Sequence, residues 1–453
     1  MIARALSQVA RAVDGLLLGD DVTVASIAID SRAVLPGGLF VALPGTRTDG
    51  GRFVPEAFDR GAAAVLVRDG LTVDGPAVLV RSTNEALLKL AADERRRFGA
   101  AVVGITGANG KTSTKDMTAA VCSSALRTHA SPASFNNEIG LPVTLLGAPP
   151  DTEVVVAEMG ARNAGDVAML CEIARPRVVV VTNVGVAHME AFGSWQTIVE
   201  ASAEPIEALG EDGVAVLNLD DPVVAGLARR CRGRVLTFGY AADADVGAES
   251  VSLSREGRAS FDLVHDGHRI RVALPIAGEH MVSNALAAAA VGVALGIPLM
   301  DIAAALATAD VSQWRMETFD TGEGVHVLND AYNANPESMA AALRTARWMA
   351  GDGQLIAVLG QMAELGPIAG EEHERVGELA ARLRVDRLIT VGEAAKPIAV
   401  AGLREGVEPD NVASYEAPDA ALEDVRAHAR PGDLVLFKGS RVAGLEKLAE
   451  ALR

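Results

Sequence analysis

Residues 101–115 read Ala101-Val102-Val103-Gly104-Ile105-Thr106-Gly107-Ala108-Asn109-Gly110-Lys111-Thr112-Ser113-Thr114-Lys115, and this stretch decides the fold. The apolar run 101–103 reads as a buried strand. A turn holding Gly104, Gly107 and Gly110 follows, then Lys111-Thr112 and a helix-competent segment. Strand, glycine turn, Lys-Thr and helix is the order in which a chain wraps the phosphates of a nucleotide. The glycines let backbone N–H groups approach the oxygens, the helix N-terminus carries partial positive charge, and Lys111 adds a full one. Thr112 is placed to ligate Mg²⁺. The general loop wants Gly-x-x-x-x-Gly-Lys. Here Ile105 stands at the first glycine, so the spacing is the shorter Thr-Gly-x-Asn-Gly-Lys-Thr. A glycine turn with no ligand is the bland alternative, and the placement of Lys-Thr at the helix start argues against it.

Outward from this stretch, 453 residues suggest about three domains. Apolar content of 49% with only 4% aromatic residues implies aliphatic, alanine-rich cores. A net charge of −18 argues against a nucleic-acid or anionic-membrane surface, so any anionic substrate needs locally concentrated positive charge. Cys122, Cys171 and Cys231 are isolated and spaced for neither zinc nor a redox pair, which reads as reduced thiols in a cytosolic protein. Arg4, Arg11 and Asp14 interrupt the N-terminal stretch, so it does not read as a signal peptide. The uncharged run 281–300 is long enough to raise a membrane span. It is mostly alanine and contains Ser283, Asn284 and Pro298, so it reads as a buried helix ending near Gly296.

Residues 1–95 open with an amphipathic helix, then strands at 24–28 and 39–42 and another at 62–67. Ser31 and Arg32, beside a turn, are suited to a phosphate or a uracil edge; ordinary loop polarity explains them equally well. Arg95-Arg96-Arg97 reads as a solvated helix face closing this unit. Residues 96–312 alternate strands with helices. The strand 154–157 ends in Glu158, 178–181 in Thr182-Asn183 and 214–217 in Asn218, with His188 after a short loop. Apolar strands with polar groups just past their C-terminal ends describe an open parallel sheet with its site along that edge. Glu158 and His188 would then meet the phosphate loop and suit a divalent metal, although Mg²⁺ prefers oxygens and a lone histidine is often an interior residue. Residues 313–453 alternate again, with strands at 325–328, 355–359 and 434–437, as a second doubly wound unit. Arg315 at the junction can reach a γ-phosphate or lie on plain surface. The turn 330–336, Asp-Ala-Tyr-Asn-Ala-Asn-Pro, can fix a polar substrate or simply cap a helix.

Taken together these stretches resemble the Mur ligase family along essentially the whole chain. The nucleotide loop is 106–112, the substrate turn is Ser134-Phe135-Asn136-Asn137-Glu138-Ile139-Gly140-Leu141-Pro142, and Tyr332-Asn333-Ala334-Asn335-Pro336 with Lys438-Gly439-Ser440-Arg441 distinguish one member type from its siblings. The resemblance implies an α/β, three-domain architecture: a UDP-substrate domain (1–95), a central P-loop ATPase domain with a parallel sheet (96–312) and a Rossmann-like C-terminal domain (313–453). It implies ATP and Mg²⁺ as cofactors. The implied substrates are UDP-N-acetylmuramoyl-tripeptide and D-alanyl-D-alanine, joined through an acyl phosphate in cytoplasmic peptidoglycan precursor synthesis. A monomer is expected, with no nucleic-acid partner and no membrane insertion. On this reading Lys111, Arg315 and His188 are catalytic. Gly107, Asn109, Gly110, Lys111, Thr112, Ser113, Asn218, Asn284, Arg315 and Asp330 hold the nucleotide. Ser31, Arg32, Asn136, Asn137, Tyr332, Asn333, Asn335 and Lys438 hold substrates, and Thr112, Glu158 and His188 hold the metal.

One departure stands out. The family's Ala-Lys-x-Glu, whose lysine is carbamylated to support a second Mg²⁺, is here Ala201-Ser202-Ala203-Glu204, followed by Pro205. Serine brings no negative charge. Glu200 and Glu204 lie about 200° around a helix from it, and Pro205 removes a helix hydrogen bond. Smaller departures are Gly51 for a histidine, Met281 for an asparagine and Gln361 for an aspartate. They keep two other readings open: a ligase of the same fold with a different acid or amine, and a nucleotide-binding pseudoenzyme.

Overall fold

The computed structural model describes residues 1–45, 48–186 and 189–453. Its first sheet has the strand order Leu16–Leu18, Ala77–Val80, Ala64–Arg68, Leu39–Val41, Ile27–Ala28, parallel except at the Leu16–Leu18 edge. The single strand expected at 24–28 is divided. Thr23–Val24 pairs with Arg4–Ala5 in a separate ribbon, and Ile27–Ala28 joins the main sheet, because the segment's backbone groups go to two different neighbours. Arg95 corrects a second expectation. It leaves the solvated face of helix Thr83–Arg97 and donates to the carbonyls of Ala174 (2.6 Å), Phe98 (3.1 Å) and Arg175 (3.2 Å), while Arg96 and Arg97 stay exposed. Carbonyls at the end of helix Asp166–Ala174 have no partner within that helix, and the guanidinium supplies one.

The central sheet runs Thr128–Ala130, Val154–Glu158, Ala101–Thr106, Val178–Val181, Val214–Asn218, Arg234–Gly239, Val246–Leu253, all parallel, and continues antiparallel through Arg258–His265 and His268–Ala277. The expected open parallel sheet is thus extended by an antiparallel hairpin. Its tight turn is Asp266-Gly267, with φ +50° and +79°, a dipeptide suited to such a turn. Ala101–Thr106 is the pivot. The chain goes from it to the edge strand Thr128–Ala130 and back to Val154–Glu158 on one side, then to Val178–Val181 on the other, so a topological switch point opens at its C-terminal end. Register places Glu158 beside Ile105, and Val181 beside both Thr106 and Leu217, so the polar groups that follow share one edge.

Helix Met281–Ala294 lies buried against the phosphate helix Lys111–Ser123, as expected of 281–300, and no described helix is long and apolar enough to cross a membrane. The third sheet runs Glu317–Asp320, His326–Asn329, Leu434–Lys438, Leu355–Gly360, Arg387–Val391, Val412–Tyr415, parallel except for its first pair. One apolar cluster reaches from Val103 and Met281 of the centre to Met339, Ala346 and Leu436 of this last unit. The two sheets therefore share a core around the switch point.

Candidate active site

A cavity of about 1080 Å³ lies over that switch point, walled by the phosphate helix, the turn 134–140 and the third unit. Gly107 (φ +134°) and Gly110 (φ +77°) shape its floor. A Cβ on Gly107 would run into Thr182 Oγ1, and one on Gly110 into Asn284 Oδ1, so only glycine fits either place. Asn109 is pinned from below. Its N–H donates to Asn183 Oδ1 (2.8 Å), and its carbonyl accepts from Thr182 Oγ1 (2.6 Å) and Asn183 Nδ2 (3.2 Å). Among the described residues Lys111 Nζ bonds only carbonyls, Gly107 O at 2.6 Å and Ala108 O at 3.1 Å. Burial pushes its pKa down; Glu158 opposes this and Arg315 adds to it. An anion laid on the loop would relieve that cost.

Around Thr112 three distant segments meet. Glu158, 1% exposed, accepts from Thr112 Oγ1 (2.7 Å) and Asn136 Nδ2 (2.8 Å). Arg315 crosses from the third unit and donates through one nitrogen to Thr112 Oγ1 (2.8 Å) and Ser134 Oγ (3.2 Å). Its guanidinium lies 4.2 Å from the centre of the Tyr332 ring, and its buried Nε has no hydrogen-bond partner among the described residues. A buried carboxylate and a hydroxyl side by side, both oxygen donors, fit Mg²⁺, which usually takes one or two carboxylates plus substrate phosphates. Among the described residues no three His, Cys, Asp or Glu side chains gather as a metal cluster. His188 lies outside the described residues.

The third unit supplies the opposite wall. Asp330 accepts from Met316 N (3.1 Å) and Lys438 Nζ (2.6 Å), and Lys438, 1% exposed, also holds Asn333 O (3.0 Å). Lys438 is therefore engaged with the turn 330–333 at the cavity wall. Asn335 fills both roles left open for its turn. It caps helix Pro336–Ala350 through Ser338 N (3.0 Å), and its amide donates to Asn109 Oδ1 (2.5 Å). Asn284 accepts from Thr114 Oγ1 (3.3 Å) and donates to Met281 Sδ (3.3 Å), so the methionine at the family's asparagine position orients it. Ser113, Tyr332 and Asn333 also line the cavity, as does Asn137, which uses its Oδ1 on Ile139 N and Gly140 N.

Some expected residues stand apart. Asn218 braces the sheet edge by donating to Thr182 O (2.8 Å) and does not line the cavity. Ser31 is buried on Glu56 (2.8 Å), and Arg32, 77% exposed at its side chain, folds onto Asp30. Ser202 donates to Ile198 O (2.8 Å). Glu204 accepts from Gly165 N (2.6 Å) and Ala168 N (2.9 Å), and Glu200 pairs with Arg230 (2.6 Å). Helix Trp195–Glu207 runs through Pro205 without interruption. Sequence reasoning did not single out Ser134, Thr182 or Asn183 for the site, although all three sit in segments it had marked. His280 was also missed. It lines the cavity, and its pKa is lowered by burial, with Asp330 opposing and Lys438 reinforcing the shift.

Comparison with known proteins follows this geometry. Residues 23–97 match the Mur ligase family catalytic domain, 105–292 the Mur ligase middle domain, and 314–441 the Mur ligase glutamate ligase domain. The chain is 41% identical to the UDP-N-acetylmuramoyl-tripeptide–D-alanyl-D-alanine ligase of Mycobacterium tuberculosis, covering 94% of this chain and 92% of that protein. It is 38% identical to the Bacillus subtilis enzyme of the same name, over 100% and 99%. A crystal structure of MurF from Acinetobacter baumannii superposes with TM-score 0.88 at 29% identity, over 100% and 99% of the two chains. A MurF ligase from Thermotoga maritima, in complex with ADP, gives 0.80 at 29%, over 94% and 96%.

Proposed function

Because the chain belongs to the Mur ligase family, we propose that it is the ATP-dependent ligase that adds D-alanyl-D-alanine to UDP-N-acetylmuramoyl-tripeptide in peptidoglycan precursor synthesis. The tripeptide's terminal carboxylate takes the γ-phosphoryl group of ATP, releasing ADP. The dipeptide's amine then attacks the acyl carbon, and phosphate leaves with the amide bond made. The observation that supports this best is the meeting of Lys111, Glu158 and Arg315 around Thr112, with Asn335 of the third unit on Asn109 of the loop.

Gly107, Asn109, Gly110, Lys111 and Ser113 hold the phosphates, and Asn284 and Asp330 serve the nucleoside side, with Asn218 supporting them from the sheet edge behind the cavity. Lys111 and Arg315 place positive charge where the transferring group gathers negative charge, a positioning and electrostatic task. Mg²⁺, held by Thr112, Glu158 and His188, would screen the phosphate oxygens. Asn136 orients Glu158, and Asn137 shapes the turn beside it. Tyr332 backs Arg315, while Asn333, Asn335 and Lys438 fix the wall facing the amine. Ser31 and Arg32 belong to the uridine end, Arg32 exchanging Asp30 for a diphosphate. The division 1–95, 96–312 and 313–453 follows the three ligands, and the working form is a cytoplasmic monomer.

The test is incubation of the protein with UDP-muramoyl-tripeptide, D-Ala-D-Ala, ATP and Mg²⁺, with mass-spectrometric detection of the pentapeptide product. Equal ADP and phosphate release should accompany it. ATP binding without substrate-stimulated phosphate release would mark a pseudoenzyme, and turnover only with another amine would change the acceptor.

A further inference from the structure

One turn beyond the phosphate loop lies a charged pair that none of the contacts above uses. Lys115 is 2% exposed; its ammonium donates to Ser131 O (2.9 Å) and Ala133 O (3.0 Å) and pairs with the Asp116 carboxylate, Oδ1 at 2.6 Å. The two carbonyls belong to the turn that carries Ser134 and Asn136. Ala133, which bears the second of them, has φ +44°, a conformation an alanine adopts only when its surroundings hold it there. Asp116 gives its other oxygen to Ser312, from N and Oγ, each at 2.8 Å. Ser312 begins the crossing into the third unit, where Trp314 (φ +60°) and Met316 (φ +52°) flank Arg315 in left-handed conformations. One member of the pair grips the turn that touches Thr112 and Glu158. The other grips the linker that delivers Arg315.

A buried ion pair is weak as a stabiliser, since packed apolar residues of similar volume often do as well. Its better use is to fix geometry, and here Lys115 holds two carbonyls around the left-handed Ala133 while Asp116 holds Ser312, just ahead of the left-handed Trp314 and Met316. We propose that Lys115 and Asp116 are positioning residues of the ligase, setting Ser134, Asn136 and Arg315 against the phosphate loop without touching the nucleotide. This rests on the reading of Arg315 as a contact to the transferring phosphoryl group.

A double-mutant cycle of Asp116→Ala with Arg315→Ala tests it, reading kcat for ADP release, ADP affinity by calorimetry and Tm. Arg315→Ala alone checks the underlying reading: wild-type kcat there would remove Arg315's role and the proposal with it. If Arg315→Ala is impaired, Asp116→Ala is expected to lower kcat about tenfold with ADP affinity unchanged, and to add nothing in the Arg315→Ala background. Ser312→Ala should move kcat in the same direction by less. Lys115→Arg should retain more activity than Lys115→Met. Independent, multiplying losses from Asp116→Ala and Arg315→Ala, or a kcat that falls only as the folded fraction falls, would overturn the proposal. Should Lys115→Met fail to fold, the Asp116 and Ser312 arms decide alone.

Discussion

The phosphate end of the cavity and the Asp30-Ser31-Arg32 turn spend their charges in opposite ways. At the turn, Arg32 makes two hydrogen bonds to a carboxylate two residues away, at 2.9 and 2.6 Å, and those bonds pull the Asp30 pKa down to about 2. At the phosphate end, the hydrogen-bond partners of Lys111, Glu158 and Arg315 among the described residues are carbonyls, two hydroxyls and an amide, with an aromatic ring against Arg315, and the three charges act on one another only through space. Neutral partners fix a charged side chain in place while leaving most of its Coulombic attraction for a ligand. A bidentate ion pair has already used that attraction, so a ligand must displace the partner first. A charge held by neutral groups in a cavity therefore marks a site more strongly than a charged residue beside a turn.

This contrast can be broken at several points. The largest effect is expected for Lys111→Ala, with kcat lowered on the order of 10²-fold or more because a preorganised charge at the reacting phosphates is lost. Its Tm should stay near wild type; a folded variant with near-normal kcat would remove the nucleotide assignment. Glu158→Ala should come next, with about a tenfold or greater rise in the Mg²⁺ needed for half-maximal rate. An unchanged Mg²⁺ titration would leave Glu158 as a structural carboxylate.

Ser202 sharpens the comparison from a third place. One added negative charge about 4 Å from a dication is worth ~4 kcal/mol per charge pair at an effective dielectric near 20, before desolvation. Ser202, bonded back to its own helix, supplies none, and Glu200 and Glu204 are engaged elsewhere. The rate should be indifferent to bicarbonate, and Ser202→Lys should lower the Mg²⁺ requirement and make the rate respond to bicarbonate. A bicarbonate response in the parent protein would mean that a different lysine carries the carbamate.

The smallest effect is expected for Arg32→Ala. KM for the UDP substrate should rise about tenfold or less, the worth of one exposed charge-assisted hydrogen bond, with kcat unchanged. Stability at neutral pH should move little, because the pair is exposed and screened by solvent. The Asp30 pKa is depressed from 3.8 to about 2, so the pair's contribution is present above pH 3.8 and lost as pH falls through about 2. The gap in Tm between variant and parent should close over that interval. A gap that widened on acidification would reverse the assignment.

How legible each part was follows the range of the interactions involved. The strand beginning at 101, the phosphate loop and the polar residues ending neighbouring strands are local patterns, apolar runs punctuated by glycine, and they read directly, although the strand runs on through Gly104, expected in the turn, to Thr106. The hairpin 258–277 carried its own signal, alternating residues around Asp266-Gly267, yet went unread beside the stronger parallel pattern. Glu204 capping a helix that begins near 166, and Asp116 holding Ser312, join side chains to backbone far away in sequence, and no spacing rule announces them. The placement of Ser31 and Arg32 followed from resemblance, which assigns a position but not what the side chain touches.

The central claim is that a charge from the third unit, held by Thr112, Ser134 and Tyr332, acts on the phosphoryl group at the loop. The most direct measurement is substrate-dependent ADP release by Arg315→Ala, with ADP affinity determined on the same preparation. The expected result is a kcat lowered on the order of 10²-fold while ADP binds as in the parent protein. A wild-type kcat, or a loss explained entirely by weaker ADP binding, would contradict it.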